Sequence, residues 1–313
     1  MKSQEEWTAV LEHEPIAANE YYEFEETREL VLLVQEAAAL IRQKGVAAFN
    51  EFRESGSHWR QDERYIFVLD PDGTMLVHPD AEMEFKNQMQ LKDIQGKFII
   101  RGLLDAAMAI ENKSHGWYHY QWPVPGGLLP RWKSSYVERV ATADGKNYVV
   151  GSGMYNDRME RAFVVDTVLQ AAAILKKEDR AAFKRFRDPK DAFRFKDAYL
   201  FVIDMNGVEW VNPAFPNIEG RKMLDLHDSQ GKYLYRDMIQ MIQDQGEGWL
   251  DYMWPKPGER ISTQKSAFVK GVQVGDQTLM VGCGVYLEDA PVETRSVKAM
   301  SAAELMHHVR EAA

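Results

Sequence analysis

Cysteine is nearly absent from this 313-residue chain: the single thiol, Cys283, cannot close an intrachain disulfide. The fold therefore rests on packing and not on a covalent framework. Long apolar runs are missing too. No stretch approaches the roughly 18 uninterrupted apolar residues of a transmembrane helix, so no span is expected in this chain. Basic residues are the minority: 38 Lys and Arg stand against 48 Asp and Glu, a net charge of −10. Phosphate backbones are held by clustered Lys and Arg, which excludes nucleic acid as a partner. The opening Met1-Lys2-Ser3-Gln4-Glu5-Glu6-Trp7 lacks the apolar core of a secretory signal. Either the chain is cytoplasmic or such a leader lies outside this sequence.

Reaction signatures are missing as well. There is no G-x-S-x-G, H-E-x-x-H, Walker A, or G-x-G-x-x-G set between a strand and a helix. His78, His115 and His119 are scattered, and His307-His308 would point apart on a helix. No catalytic residue, metal ligand or cofactor is assigned, and the chain reads as a non-enzyme. What remains is ordinary: 45% apolar and 27% charged residues, enough for a sizeable core. The length suggests two domains.

The order of the residues is more informative. Tyr65-Ile66-Phe67-Val68-Leu69-Asp70-Pro71-Asp72-Gly73 returns as Tyr199-Leu200-Phe201-Val202-Ile203-Asp204-Met205-Asn206-Gly207. Five further features recur in the same order. They are Ala47-Ala48-Phe49, Asp93-Ile94-Gln95-Gly96-Lys97, Gly116-Trp117 through Trp122-Pro123, Lys133-Ser134-Ser135-Tyr136-Val137, and Gly151-Ser152-Gly153-Met154-Tyr155. Residues 65–79 match 199–213 at 7 of 15 positions, and 116–123 match 248–255 at 5 of 8. Composition alone does not produce such agreement, so a duplicated segment is the explanation.

Each copy reads as helix, hairpin, shorter helix and three-stranded meander. Apolar residues three or four apart over 27–53 and 158–187 predict a long amphipathic helix in each copy, interrupted in the first only by Gly45. Pro71-Asp72-Gly73 predicts a turn between Tyr65–Asp70 and Thr74–His78. A helix over 96–112 precedes strands over 117–122, 134–140 and 147–153. The fold class is α+β, with each long helix packed on an antiparallel five-stranded sheet. The divisions are an N-terminal extension (1–26), a first repeat (27–157), a second repeat (158–290) and a C-terminal tail (291–313). In that tail, Glu304-Leu305 to Val309 and Glu311-Ala312-Ala313 repeat the pattern of Glu29-Leu30 to Val34 and Glu36-Ala37-Ala38. Either a further helix begins there within a longer protein, or a short helix ends the chain.

The recurrent aromatic and polar residues gather in the meander. His78, Trp117, Tyr120, Trp122, Lys133, Tyr136 and Tyr155 are the first-copy candidates for a ligand site; Trp249, Tyr252, Lys265 and Tyr286 are those of the second. Flat rings with one polar handle make pocket walls, and a lysine suits a carboxylate. Strand aromatics are more often core, and Trp117 and Trp254 read first as packing. Alternation places Tyr120 and Trp122 on one face and Trp117 and His119 on the other. Lys133 and Tyr136 likewise diverge on a regular strand. The glycines of Gly151-Ser152-Gly153 and Gly282-Cys283-Gly284 read as close backbone packing. Arg101 and Arg236 also match between copies; they read as solvated residues or as anion contacts.

These six features, in order and twice over, resemble the Cache sensor superfamily, in particular its single Cache type 2 domain, across about residues 28–289. The resemblance implies a PAS-like sheet behind a long helix and a periplasmic or otherwise extracytoplasmic small-molecule sensor. Its ligands would be short organic acids of two to four carbons, its partner a signalling protein such as a histidine kinase or chemoreceptor. The pocket residues it implies are His78, Trp117, Tyr120, Lys133, Tyr136 and Tyr155. The second copy has Asn212 and Phe268 where the first has His78 and Tyr136, so the first copy is the better ligand candidate. Two other readings stand beside this one. One is the same fold holding an amine or quaternary ammonium in an aromatic cage. The other is an interaction module that pairs, for instance as a homodimer, through its long helices and has vestigial pockets.

Overall fold

The computed structural model describes residues 22–287, apart from 62, 109, 111–112, 125–128 and 156–157. The expected C-terminal helix over 291–313 lies outside the described residues, as does nearly all of the 1–26 extension. The chain forms two compact units that divide between Ala162 and Phe163. No described helix is long and apolar enough to cross a membrane.

The first unit opens with α1 (Glu25–Lys44), which buries Leu30, Leu33, Val34, Ala37 and Ile41 along one face. The single long helix expected over 27–53 is not observed. Gly45 adopts φ 58°, ψ −140°, a conformation open to glycine and costly for other residues. The chain then makes a 3-10 turn and resumes as α2 (Ala48–Arg53). The second unit breaks at the equivalent place. Its α4 (Arg161–Glu178) ends where Asp179 takes φ 53°, and α5 (Phe183–Arg187) follows.

Each unit then builds one five-stranded antiparallel sheet. In the first, β1 (Arg60–Gln61) and β2 (Arg64–Tyr65) form a small ribbon. After it come β3 (Phe67–Leu69) and β4 (Met75–Val77), then α3 (Ile99–Ala106), then β5 (His115–Pro123), β6 (Pro130–Ala141) and β7 (Asn147–Met154). The strand order is β4-β3-β7-β6-β5. The second unit repeats it with β8 (Arg194–Phe195) and β9 (Ala198–Tyr199) as the ribbon. Its sheet joins β10 (Phe201–Asp204), β11 (Glu209–Val211), β12 (Glu247–Pro255), β13 (Ser262–Val274) and β14 (Gln277–Tyr286) in the order β11-β10-β14-β13-β12. Its helix on the sheet is α6 (Leu234–Gln245).

Two local devices fix these elements. The β3–β4 turn is held by Asp70 Oδ1, which accepts from the amides of Asp72 and Thr74 at 3.0 and 2.8 Å. Gly73 supplies the positive φ of 84°. Asp204 and Gly207 do the same in the second unit. The Asp93-to-Lys97 motif is a second anchored turn. Asp93 Oδ1 accepts from the amides of Gln95 and Lys97, while Oδ2 accepts from Gln121 on β5 at 3.1 Å. Asp228 repeats this against Met253. The turn therefore ties the approach to α3, or α6, to the strand that it covers.

Sheet alternation separates two faces. In the first unit α1 packs on β6 and β7. That face carries Trp117 and Tyr136, paired directly across β5 and β6. On the opposite face Tyr118 meets α3, its hydroxyl donating to Phe98 O at 3.1 Å. Tyr120, Trp122 and Lys133 share this second face, with Tyr120 opposite Lys133.

Candidate functional site

A hollow lies between the α3-side face of the first sheet and the segments over it. It is small, with a cavity volume of about 20 Å³. Tyr65, His78, Tyr120 and Trp122 give it polar edges, and Phe67, Met75, Leu91, Ile100 and Leu103 give it apolar walls. Among the described residues, no Asp or Glu lines it. The second unit has the equivalent hollow, of about 10 Å³, with Tyr199, Phe201, Tyr252, Trp254 and Lys265 around it.

The first-copy candidates divide. His78, Tyr120 and Trp122 line the hollow. Lys133 is buried behind Tyr65: its Nζ donates to the Tyr65 hydroxyl at 2.7 Å and sits 4.0 Å from that ring's centroid and 4.9 Å from Tyr155's. Tyr155 donates to Pro123 O at 2.8 Å. Trp117 and Tyr136 lie on the other face, ring centroids 5.3 Å apart, with Tyr22 against Trp117. The structure does not bring them together with Tyr120. In the second copy Tyr252 and Lys265 line the hollow, and the Tyr286 ring is 5.2 Å from Lys265 Nζ. Trp249 packs on Phe268 on the opposite face.

The glycines explain how the lysines fit. A Cβ on Gly153 would lie 2.5 Å from Lys133 Cε, and one on Gly284 would lie 2.6 Å from Lys265 Cε. Each lysine stem therefore runs over bare backbone. Gly151 and Gly282 leave room for the rings of Phe67 and Phe201 in the same way. Arg101 and Arg236 donate to loop carbonyls, Met89 O at 3.0 Å and Leu224 O at 2.8 Å, and so hold the segments over the hollows.

Burial dominates the electrostatics. It pushes both lysines down to about 7. It also pushes His78 down to about 4, helped by the nearby Lys133 charge. His78 is thus neutral at physiological pH. The Asp80 amide donates to its Nδ1 at 3.1 Å, which places the ring proton on Nε2. Tyr65 is held well above the ordinary phenol range, so its hydroxyl keeps its proton. Having accepted from Lys133, that hydroxyl is a strengthened donor.

Three residues of the second hollow depart from the first. Glu209, Asn212 and Tyr235 stand where the first copy has Met75, His78 and Ile100. Glu209 is 1% exposed. Its two oxygens accept from Asn212 Nδ2 and from the Tyr235 hydroxyl, each at 2.8 Å. Burial pushes its carboxyl up to about 8 against those bonds.

Sequence reasoning missed Tyr65, Tyr199, Glu209 and Tyr235 as site residues. The tyrosines open the best-matched repeat segment, so a signal for them was present. Glu209 differs between the copies and sits in a three-residue strand, where nothing local marks it.

A Cache domain family model matches residues 54–160 and 173–312. The methyl-accepting chemotaxis protein McpP of Pseudomonas putida is 26% identical over 126 residues, covering 40% of this chain and 22% of that protein. The sensor histidine kinase MctS of Rhizobium johnstonii is 33% identical over 104 residues, covering 33% of this chain and 22% of its own length. The chain thus spans about a fifth of each of these relatives. Among solved structures, a Cache chemosensory domain described for carboxylic acid recognition is 24% identical. It covers 40% of this chain and 91% of that one, with a TM-score of 0.36.

Proposed function

Because the chain belongs to the Cache domain family, as two Cache units in tandem, we propose that its first unit is a sensor site for a short organic anion of two to four carbons. The observation that carries this reading is the polar edge of the first hollow, with the Lys133 ammonium behind Tyr65. Among the described residues the hollow is lined by donors and by no carboxylate. Tyr65 O–H, backed by the Lys133 ammonium, and His78 Nε2–H would grip the carboxylate. The apolar walls over α3 would hold the short carbon chain. A buried charge-assisted donor is the strong kind of hydrogen bond, and enclosure in apolar surroundings raises its worth.

In this reading Lys133 acts through Tyr65, while Tyr120 and Trp122 shape the cavity. Trp117 and Tyr136 support the sheet from behind and do not touch the ligand. Occupancy would pass to a signalling module, by analogy with the chemotaxis protein and histidine kinase relatives. The location that fits this role is periplasmic or otherwise extracytoplasmic.

Titration calorimetry with acetate, propionate, pyruvate and lactate tests the reading. At least one acid binds the full chain, Lys133→Met lowers its affinity by about tenfold or more, and Lys265→Met does not. Equal losses in the two variants, or no binding of any of the acids, would overturn it.

A further inference from the structure

We propose that the second hollow is filled by the chain itself, with the Glu209 carboxylate as a built-in ligand that closes this copy to small acids. Glu209 lines the hollow and is 1% exposed. Its Oε1 accepts from Asn212 Nδ2 and its Oε2 from the Tyr235 hydroxyl, each at 2.8 Å. The parallel with the first copy rests on the proposed role of His78. Asn212 stands at the same place in the repeat, and it already grips a carboxylate, the chain's own. The Phe215 amide donates to Asn212 Oδ1 at 3.0 Å, which turns Nδ2 toward Glu209.

The exchanges between the copies are matched. Met75 and Ile100 line the first hollow with apolar atoms. At their places the second copy has an acceptor and a donor that meet, Glu209 and Tyr235. Either one introduced alone would leave a buried polar group without a partner, which is costly. Together they join β11 to α6 and close the hollow between the strand and the helix over it. The Lys265 ammonium lines the same hollow. Burial works against the charge of both groups, and the charge of each favours that of the other.

Little room is left for a guest. The cavity volume is about 10 Å³, about half that of the first hollow and no more than one water needs. A carboxylate fixed to the chain also meets its donors at an effective concentration set by its short tether. Dissolved acid competes poorly with it.

The atoms that Glu209→Ala removes, a methylene and a carboxylate, are those of acetate. Titration calorimetry with acetate on the full chain is therefore expected to show one more equivalent bound by Glu209→Ala than by the parent. Adding Lys133→Met leaves the gained equivalent in place, since it lies in the second copy. Glu209→Gln keeps the shape of the side chain and gains none. Should Glu209→Ala fail to fold in plain buffer, far-ultraviolet circular dichroism is expected to show that acetate restores it. The proposal is overturned if Glu209→Ala binds no more acetate than the parent and is not refolded by it. It is also overturned if Glu209→Gln gains the same equivalent, or if the parent already binds acetate in both hollows. If the parent binds no acid at all, the reading of the first unit fails. An equivalent gained by Glu209→Ala still supports the built-in ligand in that case, and its absence overturns it.

Discussion

Lys133 and Tyr65 form the unit on which the first hollow depends. A lysine held down to about 7 by burial loses its charge as the pH rises past neutrality. The affinity of the first hollow for a carboxylate is therefore expected to fall above about pH 7. Calorimetry between pH 6 and 9 checks this; affinity constant across that range would remove the lysine from the account. Gly153 makes a second prediction. A methyl there would lie 2.5 Å from Lys133 Cε, so Gly153→Ala displaces the stem and weakens acid binding about tenfold or more. Gly284→Ala, the same change in the other copy, leaves acid binding alone. At this scale the sequence was partly legible. Strand alternation separated Tyr120 from Trp117, and matching glycines pointed to close packing. The sequence offers Lys133 as a carboxylate partner but does not show that a tyrosine 68 positions away accepts from its ammonium. Such a contact follows from the sheet order β3-β7-β6, which brings the chain at Tyr65 near Lys133 on β6 and which no local pattern encodes.

Periodicity located every main element but overran the helices. The stripe of α1 continues through Gly45 into α2, because the residues on both sides pack on the same unit. The backbone at Gly45 alone breaks it. Gly45→Ala is expected to lower stability by about 1–3 kcal/mol, the cost of forcing a side chain into that region. Urea unfolding measures it; an unchanged midpoint would mean that the break is not dictated by the glycine. The break after α4 was harder to see, because Asp179 occupies the same left-handed position without being a glycine. Asp is among the few residues that tolerate it. The recurring Asp93 and Asp228 turns were visible as repeated motifs. Their work became clear only when the second oxygen of each was found on the neighbouring strand.

The duplication makes two hollows of one plan with different linings. Their pH linkages differ accordingly. Glu209 is raised from 4.5 to about 8, so the folded chain binds the extra proton between those values and stability falls as pH rises through the window. His78 is lowered from 6.5 to about 4; the unfolded chain binds the extra proton there, and stability rises with pH through that range. Glu209→Gln is expected to gain stability relative to the parent between about pH 5 and 8, in urea unfolding at both values. A constant difference would show that Glu209 does not titrate as its burial implies. The repeat itself was fully legible from the sequence. The divergence of the second hollow was legible only in Asn212, because the exchange of Met75 for Glu209 is one residue among many that differ.

The central claim is that the first hollow holds a carboxylate. A crystal of the full chain soaked with 3-bromopropionate tests it most directly, since bromine is located by anomalous scattering. The account predicts a bromine peak in the first hollow among Phe67, Met75 and Leu103, with the carboxylate on Tyr65 O–H and His78 Nε2. A peak only in the second hollow, beside Lys265, or an empty first hollow at saturating acid, would contradict it.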